Sequence, residues 1–280
     1  MGLREFNSAL ECCEGCRTRQ RVSAVLCLAL TFASSAYSIQ PDVQQIIRHS
    51  VAATEADWQQ LSHFSDTERD ADIRGRSTTS RTYEVTIIDG SPYSRLVAVN
   101  DQALSPAEQA REAQKLRRVT EKRSRESASQ RAKRLAQDQN GRNRIFNLLR
   151  SMASAFDFKI QGEGRLEGHD VYVITATPRP GYAPTSRETR VLTGTRGKLW
   201  IDKGDYKWVK VEAEVVKPVP FGWFIAKVDP GTSFLVQQSH VPNGPWLPQR
   251  VRVEVKAKVL LFPKGYIHEE TFQEYRQIPR

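Results

Sequence analysis

The feature that most constrains this chain is a long alternation near its C-terminus. Across 250–261, Val251, Val253, Val255, Ala257, Val259 and Leu261 fall on one parity, and Arg250, Arg252, Glu254, Lys256 and Lys258 on the other. Successive side chains of a strand point to opposite faces, so this stretch predicts one dry face and one wet face. That division is the mark of antiparallel sheet.

The same period recurs upstream. Val209, Val211, Ala213 and Val215 alternate with Lys210, Glu212 and Glu214 after a strand at 197–202 and a turn at 203–205. A strand at 81–88 runs into Asp89-Gly90, a two-residue hairpin signal, and returns over 93–99. A weaker extended stretch at 64–77 precedes that pair. The segments 158–164 and 170–176 form another pair, with Gly162-Glu163-Gly164 read as hairpin, and 178–184 is a proline-rigid loop. Strands at 221–228 and 233–241 follow, and 267–275 closes the series. Short links keep sequence neighbours adjacent in space. The expected fold is mainly β (α+β): a large curved antiparallel sheet forming an incomplete barrel.

Helices accompany the sheet. One opens at Pro41 and carries Val43, Ile46, Ile47, Val51, Thr54, Trp58 and Leu61 on one face. Ser105-Pro106-Ala107-Glu108 is a capping box that starts a highly charged helix to about Gln139, broken at Asn140-Gly141. A second amphipathic helix, 143–156, places Ile145, Leu148, Leu149, Met152 and Phe156 together. Amphipathic helices of this kind are expected to cover the concave side of the sheet.

Residues 1–38 read as a secretory signal peptide. Arg17, Arg19 and Arg21 precede an apolar run of about a dozen residues, and small residues follow at Ser34, Ser35, Ala36 and Ser38. This pattern places the mature protein, 39–280, in the periplasm as a single domain with a charged helical insertion at about 105–140. Cys12, Cys13, Cys16 and Cys27 all lie in the leader, so the mature chain is expected to have neither a disulfide nor a thiol nucleophile.

The net charge is +10, but it is concentrated. Residues 105–144 hold twelve Lys or Arg against five Asp or Glu. No nucleic-acid motif accompanies them, so the segment reads as a solvated helix face or as a contact for anionic lipid headgroups, and nucleic acid is not an expected partner.

Catalytic signals are sparse. His49, His63, His169, His240 and His268 show no metal-ligand spacing, and adjacent residues in His268-Glu269-Glu270 face opposite ways on a strand. There is no Gly-x-Ser-x-Gly elbow and no phosphate-binding loop. The expectation is a non-enzyme without cofactor or metal. The aromatic residues of the second half offer two readings. They fill the core and brace the sheet, or several of them line an apolar cavity between sheet and helices that accepts acyl chains. For the second reading the lining residues are Trp200, Trp223, Phe224 and Phe234 from the strands, with Leu149 and Met152 from the helix.

The order of elements resembles the carriers that sort lipoproteins to the outer membrane, the LolA/LolB-like proteins. The resemblance is carried by Gly197-Lys198-Leu199-Trp200-Ile201-Asp202 with Trp208-Val209-Lys210-Val211-Glu212, by Gly231-Thr232-Ser233-Phe234, by Trp246-Leu247-Pro248 and by Glu274-Tyr275-Arg276. It implies an incomplete barrel whose hollow is lidded by helices, and a carrier that holds a lipid or a lipoprotein acyl chain. The charged insertion departs from the compact members of that group. It leaves open a second class of function, a cell-envelope interaction module that contacts a protein or an anionic membrane surface through its basic helix.

Overall fold

The first long strand of the chain pairs with the last. In a computed structural model that describes residues 42–221, 226–259 and 262–278, β1 (Phe64–Arg74) lies antiparallel to β13 (Phe262–Gln277), with Asp70 opposite Glu270 and Asp72 opposite His268. The expected leader, 1–38, and the residues Trp223 and Phe224 fall outside the described residues.

On one side of that seam, β2 (Ser77–Ile88), β3 (Ser91–Val99) and the short β4 (Gln102–Ala103) continue the sheet as a meander. Asp89 and Gly90 take φ of 49° and 83°. Both central positions of the two-residue turn are thus left-handed, which the Asp-Gly pair tolerates. On the other side the order is β12 (Trp246–Val259), β11 (Ser233–His240), β8 (Trp208–Val215), β7 (Thr195–Asp202), β6 (His169–Pro178) and β5 (Phe156–Leu166). The short strands β9 (Val219–Phe221) and β10 (Ala226–Val228) pair with each other, and β10 also pairs with β12, off the main path. Among the described residues every pairing is antiparallel, and the sheet does not close on itself. The expected incomplete barrel is therefore the observed architecture, although the meander is split: its first four strands join the rest through β13.

Helix α1 (Val43–Trp58) begins at Asp42, whose carboxylate accepts the Gln44 N–H at 2.9 Å. Ile46, Ile47 and Val51 recur along one face and are buried with Leu199, Ile201 and Trp208. Helix α2 (Pro106–Ser124) starts at the expected capping box, with Glu108 accepting the Ser105 N–H at 2.9 Å.

The helices depart most from expectation between α2 and α3, while Leu61 falls beyond the end of α1 and Phe156 opens β5 instead of ending a helix. The chain turns at 125–127, and α3 (Ala128–Ala155) then runs straight through Asn140-Gly141 for about 42 Å. Ser127 and Gln130 form a second capping box that starts a helix there. A single helical glycine costs only about 1 kcal/mol, which packing of Phe146 and Leu149 farther along outweighs. The expected Gly162–Gly164 hairpin is likewise displaced: those residues lie inside β5, and the chain reverses at Glu167 and Gly168, both with positive φ.

Candidate functional site

Register fixes which side chains share a face. Leu199 and Val211 belong to the core packed under α1 and α3. Straight across the sheet from them stand Val236, Val251, Glu270, Asp70 and Arg81 in turn. The neighbouring row runs Gly197, Ala213, Phe234, Val253, His268, Asp72 and Thr79. The helix-facing side of the sheet therefore changes character along its width. It is sealed core over β6 and β7, half-exposed apolar surface over β11 and β12, and acidic over β13 and β1.

The sequence-derived lining residues divide accordingly. Phe234 is half-buried in the apolar zone, beside Val236, Val251, Val253 and Val255. Leu149 is 5% exposed inside the core cluster, and Met152 packs against that cluster, so these two fill the space between helix and sheet. Trp200 points the other way. Its neighbours Leu199 and Ile201 take the core positions, so parity sends the indole to the far face. There it packs against the cluster of Val171, Val209 and Trp246, with the ammonium groups of Lys198 and Lys210 at 4.7 and 5.0 Å from its ring. Trp200 thus braces the back of the sheet and does not line a space under the helices.

That back face carries an open trough of about 690 Å³ across β7, β8, β11 and β12. Arg196 and Glu214 pair across it at 2.8 Å, and Arg252 bonds Glu269 at 3.2 Å. Balanced, exposed charges of this kind describe a solvated face.

The acidic zone is absent from the sequence-derived expectations. On β1, Asp66, Glu68, Asp70 and Asp72 occupy alternate positions and so share the helix-facing side, where Glu270 and His268 of β13 meet them. Oxygen atoms of Glu68, Asp70 and Glu270 all lie within 4.8 Å of one another, the one such grouping of potential metal ligands among the described residues. One oxygen of Asp70 is buried without a hydrogen-bond partner.

Burial, reinforced by the like charges of Asp70, Glu270 and Asp66, pushes the Glu68 carboxyl up to about 8. Burial alone pushes Asp66 up to about 6. His268 bridges Asp72 and Glu270, each at 3.0 Å. Burial works against its charged form, but those two hydrogen bonds prevail and raise its pKa. Chemically, this is a row that holds protons near neutrality. As expected for adjacent strand residues, Glu269 faces the other way and bonds Arg250 at 2.5 Å, whereas His268 and Glu270, two apart, converge.

The Trp246-Leu247-Pro248 and Glu274-Tyr275-Arg276 segments meet in space. The Tyr275 hydroxyl donates to the Pro248 carbonyl at 2.7 Å, and its ring packs on the cluster of Phe64, Val241 and Leu247.

The architecture is an open antiparallel sheet with helices on one face, and solved structures match the chain at low identity. No protein-family model and no curated protein matches the sequence. A DUF1329 family protein from Desulfovibrio piger matches over 84% of this chain and 92% of its own, at 13% identity and a TM-score of 0.35. A putative outer membrane lipoprotein-sorting protein domain from Vibrio parahaemolyticus matches over 82% and 93%, at 11% identity and 0.35. A LolA superfamily protein from Nitrosomonas europaea matches over 85% and 93%, at 9% identity and 0.32. At these identities the likeness is one of fold alone.

Proposed function

We propose that this chain is an exported, non-catalytic binding protein that holds an apolar chain, a lipid or the acyl group of a lipoprotein, on the open part of its helix-facing sheet. One observation carries the reading. Phe234, Val236, Val251, Val253 and Val255 form adjoining apolar positions on β11 and β12 that remain half-exposed, on the side where β6 and β7 are sealed by α1 and α3. Apolar surface left open beside a packed core is surface that a ligand can dry. Each buried methylene contributes about 0.8 kcal/mol, so a chain laid along two strands gains affinity without directional contacts. Phe234 remains a lining residue in this reading; Leu149 and Met152 form the wall behind it.

The test is displacement of a fluorescent fatty-acid probe together with native mass spectrometry of protein purified from the periplasm. The expected result is co-purified lipid and probe binding that Val253→Asp abolishes while thermal unfolding still shows a folded protein. A clean apo mass with no probe binding would overturn the reading.

A further inference from the structure

The basic insertion is a fixed elbow. Arg123, near the end of α2, donates to the carbonyls of Ile88 and Ser91 at 2.9 Å each and to that of Pro92 at 3.2 Å. Arg134, one turn and a half into α3, donates to Ser91 Oγ at 2.5 Å and clamps Glu126 with contacts of 2.6 to 3.0 Å. The β2–β3 turn thus holds both helices where they meet. Ordering exposed helices this firmly costs conformational entropy, and these helices bury little in return: nearly all side chains from 106 to 140 are exposed or half-exposed.

At the elbow an open cleft of about 500 Å³ is lined by Lys122, Arg125, Glu126, Lys133 and Arg134, with Gln130 and Gln137. Glu126 and Arg134 neutralise each other. Lys122, Arg125 and Lys133 form no ion pair among the described residues. Arg118 stands one turn before Lys122, so the face repeats positive charge at four- and three-residue spacing, an arrangement that disfavours a helix. Of the nearby carboxylates, Glu112 is engaged by Lys115 at 2.5 Å and Asp138 by Ser91, and Glu121 alone is exposed and uncommitted, one turn from Arg125. The positive end of the α3 dipole falls at the same place.

We propose that this elbow docks the protein on an anionic lipid surface, with phosphate groups entering the cleft between Lys122, Arg125 and Lys133. The chemistry of the elbow selects that partner. Residues 105–144 contain no aromatic side chain, so there is no stacking platform for nucleic-acid bases. No large apolar side chain is exposed at the elbow either, the exposed ones among the described residues being Ile145 and Tyr266, so a protein partner finds no apolar anchor. An excess of cations on a rigid projection suits a partner recognised by charge alone. A surface rich in phosphate attracts each Lys or Arg brought to it.

The experiment is co-sedimentation of the full mature chain with phosphatidylcholine vesicles with and without phosphatidylglycerol. The wild type is expected to bind only the anionic vesicles and to be released by salt. The triple variant Lys122→Glu, Arg125→Glu, Lys133→Glu is expected to lose on the order of a hundredfold in affinity. Its thermal unfolding and fatty-acid probe binding should not change, which separates failure here from failure of the binding reading. A control, Arg142→Glu with Arg144→Glu, alters the same helix away from the cleft and should lose far less. Equal losses in both variants, wild-type binding to neutral vesicles, or binding of inorganic phosphate that displaces the vesicles at matched ionic strength would each overturn the proposal.

Discussion

Lys207 Nζ lies 2.7 Å from Asp57 Oδ2, and the same oxygen accepts the backbone N–H of Trp246 at 2.9 Å. One carboxylate, 6% exposed, therefore joins the end of α1 to the starts of β8 and β12. Removing one partner of a buried pair leaves the other charge uncompensated. Asp57→Ala is expected to destabilise the fold by about 3–5 kcal/mol, read as a lower urea midpoint with an unchanged slope. A loss below about 1 kcal/mol, the range of an exposed pair, would show that this contact is not what anchors α1.

The acidic row makes stability fall toward alkaline pH. The carboxyl of Glu68 ionises near 4.5 when unfolded and near 8 in the fold, and Asp66 moves from 3.8 to about 6. Both folded values are raised, so their stabilising effect is complete below the unfolded values and is lost as pH rises through the folded ones. Stability is expected to decline between about pH 5 and 8, on a face shared with Asp70, Asp72, Glu270, His268 and, across β2, Arg81 and Tyr83. Glu68→Gln removes the ionisation and should flatten the upper part of that slope. Denaturant unfolding at a series of pH values checks this, and a Glu68→Gln profile parallel to wild type would refute it.

Legibility in the sequence differs strand by strand. The alternation over 250–259 and the Asp89-Gly90 turn specify their structures because parity and turn chemistry are local. The β1–β13 seam is not local, and nothing in either segment announces the other. The Asp66-x-Glu68-x-Asp70-x-Asp72 row stands in the sequence in full. It escapes notice there because Thr67 and Arg69 between the acids are polar too, so no apolar contrast marks a face. For Trp200 the signal is present: Leu199 and Ile201 flank it, and a strand cannot bury three consecutive residues on one side. Trp223 and Phe224 stay proposals on sequence grounds alone.

Strand parity also makes the tryptophans unequal. Trp208 is 3% exposed within the main core and donates from Nε1 to Ser50 Oγ at 3.2 Å. Trp208→Ala should cost about 3–5 kcal/mol. Trp200→Ala, on the back face between two lysines, should cost clearly less and leave probe binding intact. Equal losses in thermal unfolding would contradict the assignment of these two side chains to opposite faces.

Gly194 sits where β7 begins and the β8–β9 link passes. A Cβ placed there would lie 2.6 Å from both the Lys217 carbonyl oxygen and Val219 Cγ2. The Gly194 carbonyl also accepts the Val216 N–H at 2.7 Å, so the link cannot simply back away. Gly194→Ala is expected to lose about 1–3 kcal/mol, as overpacking does, measured as a lower melting temperature. A neutral result would mean that this crossing yields easily.

The seam between β1 and β13 also dictates an order of events. Among the described residues, strands β1 to β4 pair with the remainder of the sheet through β13 alone. As the chain emerges from N- to C-terminus, the free edge of β1 must wait for the last strand to arrive, and β12 waits beside it. Pairing across so many intervening residues is slow, and an unpaired edge invites other strands. The closing strand is therefore the point of greatest exposure to misassembly, and a chain shortened before Phe262 would leave two sheet fragments, each with an open edge and no strand between them.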